Sequence, residues 1–313
     1  MSISSNFSTD DVLNFTDQSG ITGSYDSVNG TLTLTGSATL VEYQAALQSI
    51  SYENTSDDPS DLTRTVTIQV NDGDDDSNIV SRDIDFTAVN DAPVLSAIET
   101  APASYTENDA PLAITGSTTV SDVDDTNIES AVVSISSNFD TDDVLNFTDQ
   151  SGITGSYDSV NGVLTLTGSA TLVEYQAALQ SISYVNTGDD PSDLSRTVTF
   201  LVNDGDVDSN IVSRAIDFTV VNDAPTLANI EAVPASYTEG GSAVGITGNL
   251  SLDDLDDINI ESALVSISNN FATGEDELIF TDQFGITGSF DACLLYTSPS
   301  PRDATLSRMP SSA

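Results

Sequence analysis

The sequence predicts an all-β protein, a tandem array of antiparallel β-sandwiches that each carry one short helix. Three observations lead there. Alternating apolar and polar residues recur along the chain, turn-forming Gly, Asn, Asp and Pro separate these runs, and the whole pattern repeats every 132 residues, from Pro93 to Pro225. Between 2–93 and 134–225 only ten of 92 positions differ. In that frame a partial first repeat occupies 1–91, because Met1 aligns with Val133 inside a strand. A complete repeat follows at 92–223, then a partial third at 224–292, and a tail at 293–313. The chain therefore reads as a piece of a longer array.

Within the first repeat, "ITGSY" at 21–25 and "TLTLT" at 31–35 form a hairpin, with Asn29-Gly30 supplying the positive-φ turn. The run "TLVEYQAALQSI" at 39–50 breaks the period-two pattern. Thr39 and Glu42 stand at capping-box spacing, and Leu40, Tyr43, Leu47 and Ile50 make an apolar stripe, so a short helix closes one end of the sandwich. In "TVTIQV" at 65–70, Val66, Ile68 and Val70 share a face. In "RDIDFTAV" at 82–89, Ile84, Phe86 and Ala88 do. The turn-rich loop "NDGDDDSN" between them makes the two runs an antiparallel hairpin. The second repeat predicts its helix at 171–180.

From Cys293 the text "CLLYTSPSPRDATLSRMPSSA" leaves the repeat. It holds the one Cys, three of the ten Pro and two of the six basic residues, Arg302 and Arg308. This stretch resembles a translated transposase-type sequencing adapter. It is set aside from fold reasoning, and Cys293 carries no redox or catalytic meaning.

Fifty acidic residues against six basic ones give a net charge of −44, and 39 of the acids are Asp. Charge of this sign disfavours nucleic acid and anionic membranes as partners. Self-repulsion on this scale opposes a compact state unless counter-ions bind. No run reaches membrane-spanning length and no signal peptide opens the chain. The repeats contain no His, Cys or Lys, which removes the usual bases and nucleophile activators, and no phosphate-binding Gly loop occurs. An enzyme is not predicted.

The acidic residues fall in patterned clusters. "VNDAP" at 89–93 and 221–225 ends one repeat and opens the next, since Pro cannot donate to a strand ladder. "SDVDDTNIE" at 121–129 and "LDDLDDINIE" at 252–261 follow. Alternate residues of an extended segment point the same way, so each Asp-x-Asp aims two carboxylates at one place. A hard divalent cation with oxygen ligands relieves the resulting repulsion; a solvated acidic turn is the alternative. In the loop "NDGDDDSN" the alternate set Asp72, Asp74 and Asp76 is a separate candidate, because the second copy replaces Asp75 with Val207. It is no EF-hand: the Gly is misplaced and no Glu closes the loop.

Taken together, "YTENDAP", "VSDVD", "ITGSYD", "LTLTG", "YQAAL" and "VNDAP" resemble the cadherin-like repeats of very large bacterial surface and secreted adhesins, across 1–292. The Asn-Asp linker followed by Asp-x-Asp also resembles the interdomain calcium site of cadherins. That resemblance implies Ca2+ held at the first junction by Asn90, Asp91, Asp122 and Asp124. At the second it implies Glu107 of "SYTE" with Asn222, Asp223, Asp254 and Asp256. It further implies an extracellular or cell-surface place, a structural and adhesive role, and extracellular ligands or another copy of the chain as partners. A passive spacer without specific ions, or accessory domains of a secreted hydrolase, are the competing readings.

Overall fold

The computed structural model describes residues 1–291, so the adapter-like tail lies outside the described residues. The chain divides into two compact units, Met1–Val221 and Asn222–Ala313. The first contains the first repeat and the second as far as Val221.

The second repeat is the fullest sandwich. Its larger sheet has six strands in the order Thr154–Asp158, Val163–Thr171, Asn127–Ser137, Arg196–Asn203, Val212–Thr219 and Ala103–Thr106. A smaller sheet runs Leu112–Ala113, Ser183–Asn186, Asp143–Asn146, and Val94–Ser96 pairs with Thr119–Ser121. Strict alternation in Arg196–Asn203 sends Val198, Phe200 and Val202 inward, where they meet Ile128, Val133, Leu166, Tyr184 and Ile216. Pairing is antiparallel as expected, with one exception. Ala103–Thr106, the second strand of the repeat, runs parallel to Ile216–Thr219 and closes the sheet edge. Period-two patterning carries no sign of strand direction, so this pairing was not legible.

The first repeat shows the predicted hairpins, Thr22–Asp26 with Thr31–Thr35 and Arg64–Ile68 with Val80–Ile84. The second of these differs from expectation at one end. Residues 85–87 are not strand, whereas their copies 217–219 are. The reason is the parallel neighbour: Ile216–Thr219 has Ala103–Thr106 beside it, and no described strand takes that place beside 84–87.

The helices form at Leu40–Gln48 and Leu172–Gln180, each with the full capping box, Thr39 with Glu42 and Thr171 with Glu174. Tyr175 and Leu179 are buried, and Tyr175 donates its hydroxyl to Gly168 O at 2.7 Å. That carbonyl belongs to a residue at φ 132°, and a Cβ there would run into Gly152 O. Gly168→Ala therefore combines left-handed strain with a backbone collision. It is expected to lower the stability of the second repeat by about 1–3 kcal/mol, read as a shift of the denaturation midpoint with unchanged slope.

In the second unit Thr226–Ala228 pairs with Ser251–Asp253, and Glu231 accepts from Thr247 Oγ1 at 2.7 Å and Gly248 N at 2.8 Å. These features copy Val94–Ser96 with Thr119–Ser121 and Glu99 with Thr115 and Gly116 in the second repeat.

Candidate acidic sites at the repeat junctions

At the first junction the linker and the Asp-x-Asp loop meet through backbone chemistry. The Asp91 N–H donates to both carboxylate oxygens of Asp124, at 3.1 and 3.3 Å. Asn90 Nδ2 donates to Asp91 O at 2.7 Å and to Asp204 Oδ2 at 3.0 Å. Asp122 Oδ1 accepts from the N–H groups of Asp124 and Asp125 at 3.2 and 3.1 Å, shaping the turn. Its other oxygen, Oδ2, is buried without a hydrogen-bond partner.

Asp204 brings in a segment that the sequence treats separately. It belongs to "NDGDVDSN", the second copy of the acidic hairpin loop. Asn210 anchors that loop by accepting from Leu95 N and donating to Leu95 O, both at 2.9 Å. The loop and the 121–126 turn thus share one end of the repeat. Burial and then the neighbouring charges of Asp122, Asp124, Asp204 and Asp206 raise the Asp125 carboxyl above 3.8. Burial, reinforced by Asp124, does the same to Asp122. For Asp204 burial pushes up, but the donors Val207 N, Asn90 Nδ2 and Asp206 N outweigh it and hold the group low. Asp58, from the first repeat, lines a shallow cleft with Asp122, Asp124 and Asp125.

In the first copy of the loop, Asp72 Oδ1 caps the turn by accepting from Asp74 N at 3.0 Å and Asp75 N at 2.9 Å. Asp76 accepts from Asn71 Nδ2 at 2.8 Å. Two of the three alternate carboxylates therefore already serve the loop itself.

At the second junction each flank can be described by itself. Glu107 is 4% exposed; its N–H donates to Thr219 O at 2.9 Å and its Oε2 accepts from Val221 N at 2.8 Å. Glu107 Oε1 is buried without a partner. In the second unit Asn222 Nδ2 donates to Asp223 O, and Asp223 N donates to Asp256 Oδ2 at 2.9 Å, repeating the first linker. Carboxylate oxygens of Asp254, Asp256 and Asp257 lie within 4.8 Å of one another, and Asp256 Oδ1 is buried without a partner. Burial and then Asp256, Asp254 and Glu261 raise Asp257.

The structure thus joins Asn90, Asp91, Asp122 and Asp124 on one side, and Asn222, Asp223, Asp254 and Asp256 on the other. It adds Asp58, Asp125, Asp204, Asp206 and Asp257, which the linker motif leaves out. Asp125 and Asp257 had a signal, being the third acid of "DVDD" and "DLDD". Asp204 and Asp206 required the fold.

No protein-family model matches the chain. Halomucin of Haloquadratum walsbyi (strain DSM 16790 / HBSQ001) is 34% identical over 136 residues, covering 42% of this chain and 1% of that protein. Among solved structures, protocadherin gamma B2 extracellular cadherin domains 1-5 are similar over 79% of this chain and 39% of that one, with 16% identity and a TM-score of 0.27. Mouse cadherin-23 EC22-24 is similar over 82% and 69%, with 14% identity and a TM-score of 0.26. The C-terminal domain of the Streptococcus agalactiae AgI/II polypeptide BspA is similar over 66% and 83%, with 13% identity and a TM-score of 0.20. No helix among the described residues is long and apolar enough to cross a membrane.

Proposed function

We propose that the chain is an extracellular structural and adhesive repeat region whose junctions are held by Ca2+. One observation carries this reading. Among the described residues, the buried carboxylate oxygens without partners are Glu107 Oε1, Asp122 Oδ2 and Asp256 Oδ1, all from residues that the cadherin resemblance assigns to calcium. An orphaned buried anion is costly, and a cation of the oxygen-loving kind removes that cost. Asn90, Asp91, Asp122 and Asp124 would hold the ion at the first junction, supported by Asp204. Asn222, Asp223, Asp254 and Asp256 would form the corresponding set in the second unit, and Glu107 would serve the end of the second repeat. The bound ion supplies positive charge against the carboxylates; the chain supplies oxygen donors and a linker tied to them.

The repeats, the acidic surface and the likeness to part of Halomucin support an extracellular place and a mechanical role rather than an enzymatic one. Isothermal titration of the 313-residue chain with CaCl2 tests the ion. Dissociation constants of roughly 0.1–1 mM are expected, typical of extracellular modules. The paired change Asp122→Asn with Asp124→Asn should remove binding at the first junction. Asp75→Val should leave binding intact, since Val207 already stands in the second copy. Equal losses from both variants would show general charge screening, and the chain would then be a passive spacer.

A further inference from the structure

We infer that Asn161-Gly162 and Asn29-Gly30 are latent deamidation sites, each held unreactive in the folded repeat by one carboxylate, that of Asp158 or Asp26. Asn-Gly is open to this modification because glycine has no Cβ to hinder attack by its nitrogen. The Gly162 nitrogen bonds to Asn161 Cγ and gives its proton to solvent, while Nδ2 leaves as ammonia. Water then opens the resulting succinimide to aspartate or isoaspartate. Either product adds a negative charge, and isoaspartate also lengthens the backbone at the turn.

The fold obliges both turns to keep their glycine. Gly162 has φ 68° and Gly30 φ 62°, and a Cβ would come within 2.5 Å of Phe139 Cδ2 in one and 2.6 Å of Phe7 Cδ2 in the other. Asn161 and Asn29 are exposed, so water and base reach them. Each repeat therefore carries a reactive pair at the tip of a hairpin.

In the second repeat, hydrogen bonds tie up both reacting groups. Asn161 Nδ2 donates to Asp158 Oδ2 at 2.7 Å, which holds the carboxamide in place. Gly162 N donates to Asp158 O at 2.9 Å, engaging the proton that must be lost before the nitrogen can attack. Ile135 N donates to Gly162 O at 2.9 Å, and Asp158 Oδ1 accepts from Val160 N and Asn161 N at 2.9 and 3.3 Å. The turn is thus fixed on both sides of the reacting bond. The Asn161 side chain and then the Val160 N–H hold the Asp158 carboxyl below its ordinary 3.8, so it is charged at neutral pH. In the first repeat Asn29 Nδ2 donates to Asp26 Oδ2 at 2.8 Å, and Ile3 N donates to Gly30 O at 2.9 Å.

The 313-residue chain contains its own control, since 143–162 repeats 11–30 without a change and the flanking Val163 and Thr31 distinguish the two peptides. Peptide mapping by mass spectrometry, after incubation in mildly alkaline buffer, reads conversion at each site. Both sites in the folded wild type are expected to convert at least about tenfold more slowly than in the chain unfolded by guanidinium chloride. Asp158→Ala should speed Asn161 by about tenfold, the worth of one charge-assisted hydrogen bond, and leave Asn29 unchanged. Asp26→Ala should do the reverse. Asp158→Asn keeps an oxygen for the Val160 and Asn161 N–H groups but sets an NH2 group against Asn161 Nδ2, so it removes the clamp and retains the turn. It should also speed Asn161. Folded wild type converting as fast as the unfolded chain would overturn the inference. So would Asp158 variants in which Asn161 converts no faster than Asn29, or acceleration confined to variants whose melting midpoint also falls, since unfolding alone would then account for it.

Discussion

Arg196→Met is expected to destabilise the second repeat by about 3–5 kcal/mol, the usual cost of removing one partner from a buried ion pair. Against a typical domain stability of about 5–15 kcal/mol, that is enough to leave the repeat partly unfolded at physiological temperature. The Arg196 and Asp143 side chains are both fully buried, with Nε donating to Asp143 Oδ2 at 3.2 Å. Asp143 also accepts from Asp140 N at 2.8 Å, the Tyr184 hydroxyl at 2.5 Å and Asn186 Nδ2 at 2.7 Å. The guanidinium lies 4.6 Å from the centre of the Phe218 ring and donates Nη1 to Ser192 O at 2.7 Å. Met retains much of the volume but removes the positive charge that faces Asp143. Adding Asp143→Leu should therefore recover part of the loss, because the stranded charge is then gone. Urea melts of the single and double variants would decide it: a double variant no more stable than Arg196→Met would mean that packing, and not the unpaired charge, sets the cost.

The second large effect is that of calcium on melting. At an ion concentration 100-fold above its dissociation constant, binding to the folded state alone stabilises it by about 2.7 kcal/mol. For a repeat of this size that corresponds to roughly 8–12 °C in midpoint. The pH dependence has a definite sign. Asp122 and Asp125 have folded-state pKa values raised above 3.8 by burial and neighbouring acids. In ion-free protein their contribution to stability is fully present below 3.8 and is lost as pH rises through the raised values. Calcium requires the deprotonated carboxylates, so its stabilisation should be largest near neutral pH and shrink through that same window on acidification. Scanning calorimetry in calcium and in chelator, at about pH 7 and about pH 4.5, measures both. Identical midpoints in calcium and chelator at neutral pH would count against ion-held junctions.

Much of the architecture was legible because it is local. Hairpin turns, the Thr39–Glu42 capping box and inward Val198, Phe200 and Val202 follow from spacing alone, and the structure has each of them. What required three dimensions was whatever joins distant segments. Asp204 is 80 residues from Asp124 in sequence, and the Asn210–Leu95 anchor together with the Asn90–Asp204 hydrogen bond holds its loop at the junction. Arg196 sits in the inward register of its strand, where alternation calls for an apolar residue. With four basic residues outside the tail, that misfit was the available signal for a buried pair. The parallel strand Ala103–Thr106 left no trace in the pattern, since direction does not alter period.

That parallel strand has a mechanical consequence. Tension on the array pulls each repeat through its incoming and outgoing segments. In the second repeat the load passes Val94–Ser96 before it reaches Ala103–Thr106, which lies beside Val212–Thr219 and points the same way. Pulling the start of one against the end of the other slides the pair lengthwise. All the bonds between Ala103–Thr106 and Ile216–Thr219 must then yield together, whereas an antiparallel pair opened from its end gives way one bond at a time. The second repeat thus carries a shear clamp between these two strands, which resists a pull along their length more than a hairpin opened from its end would.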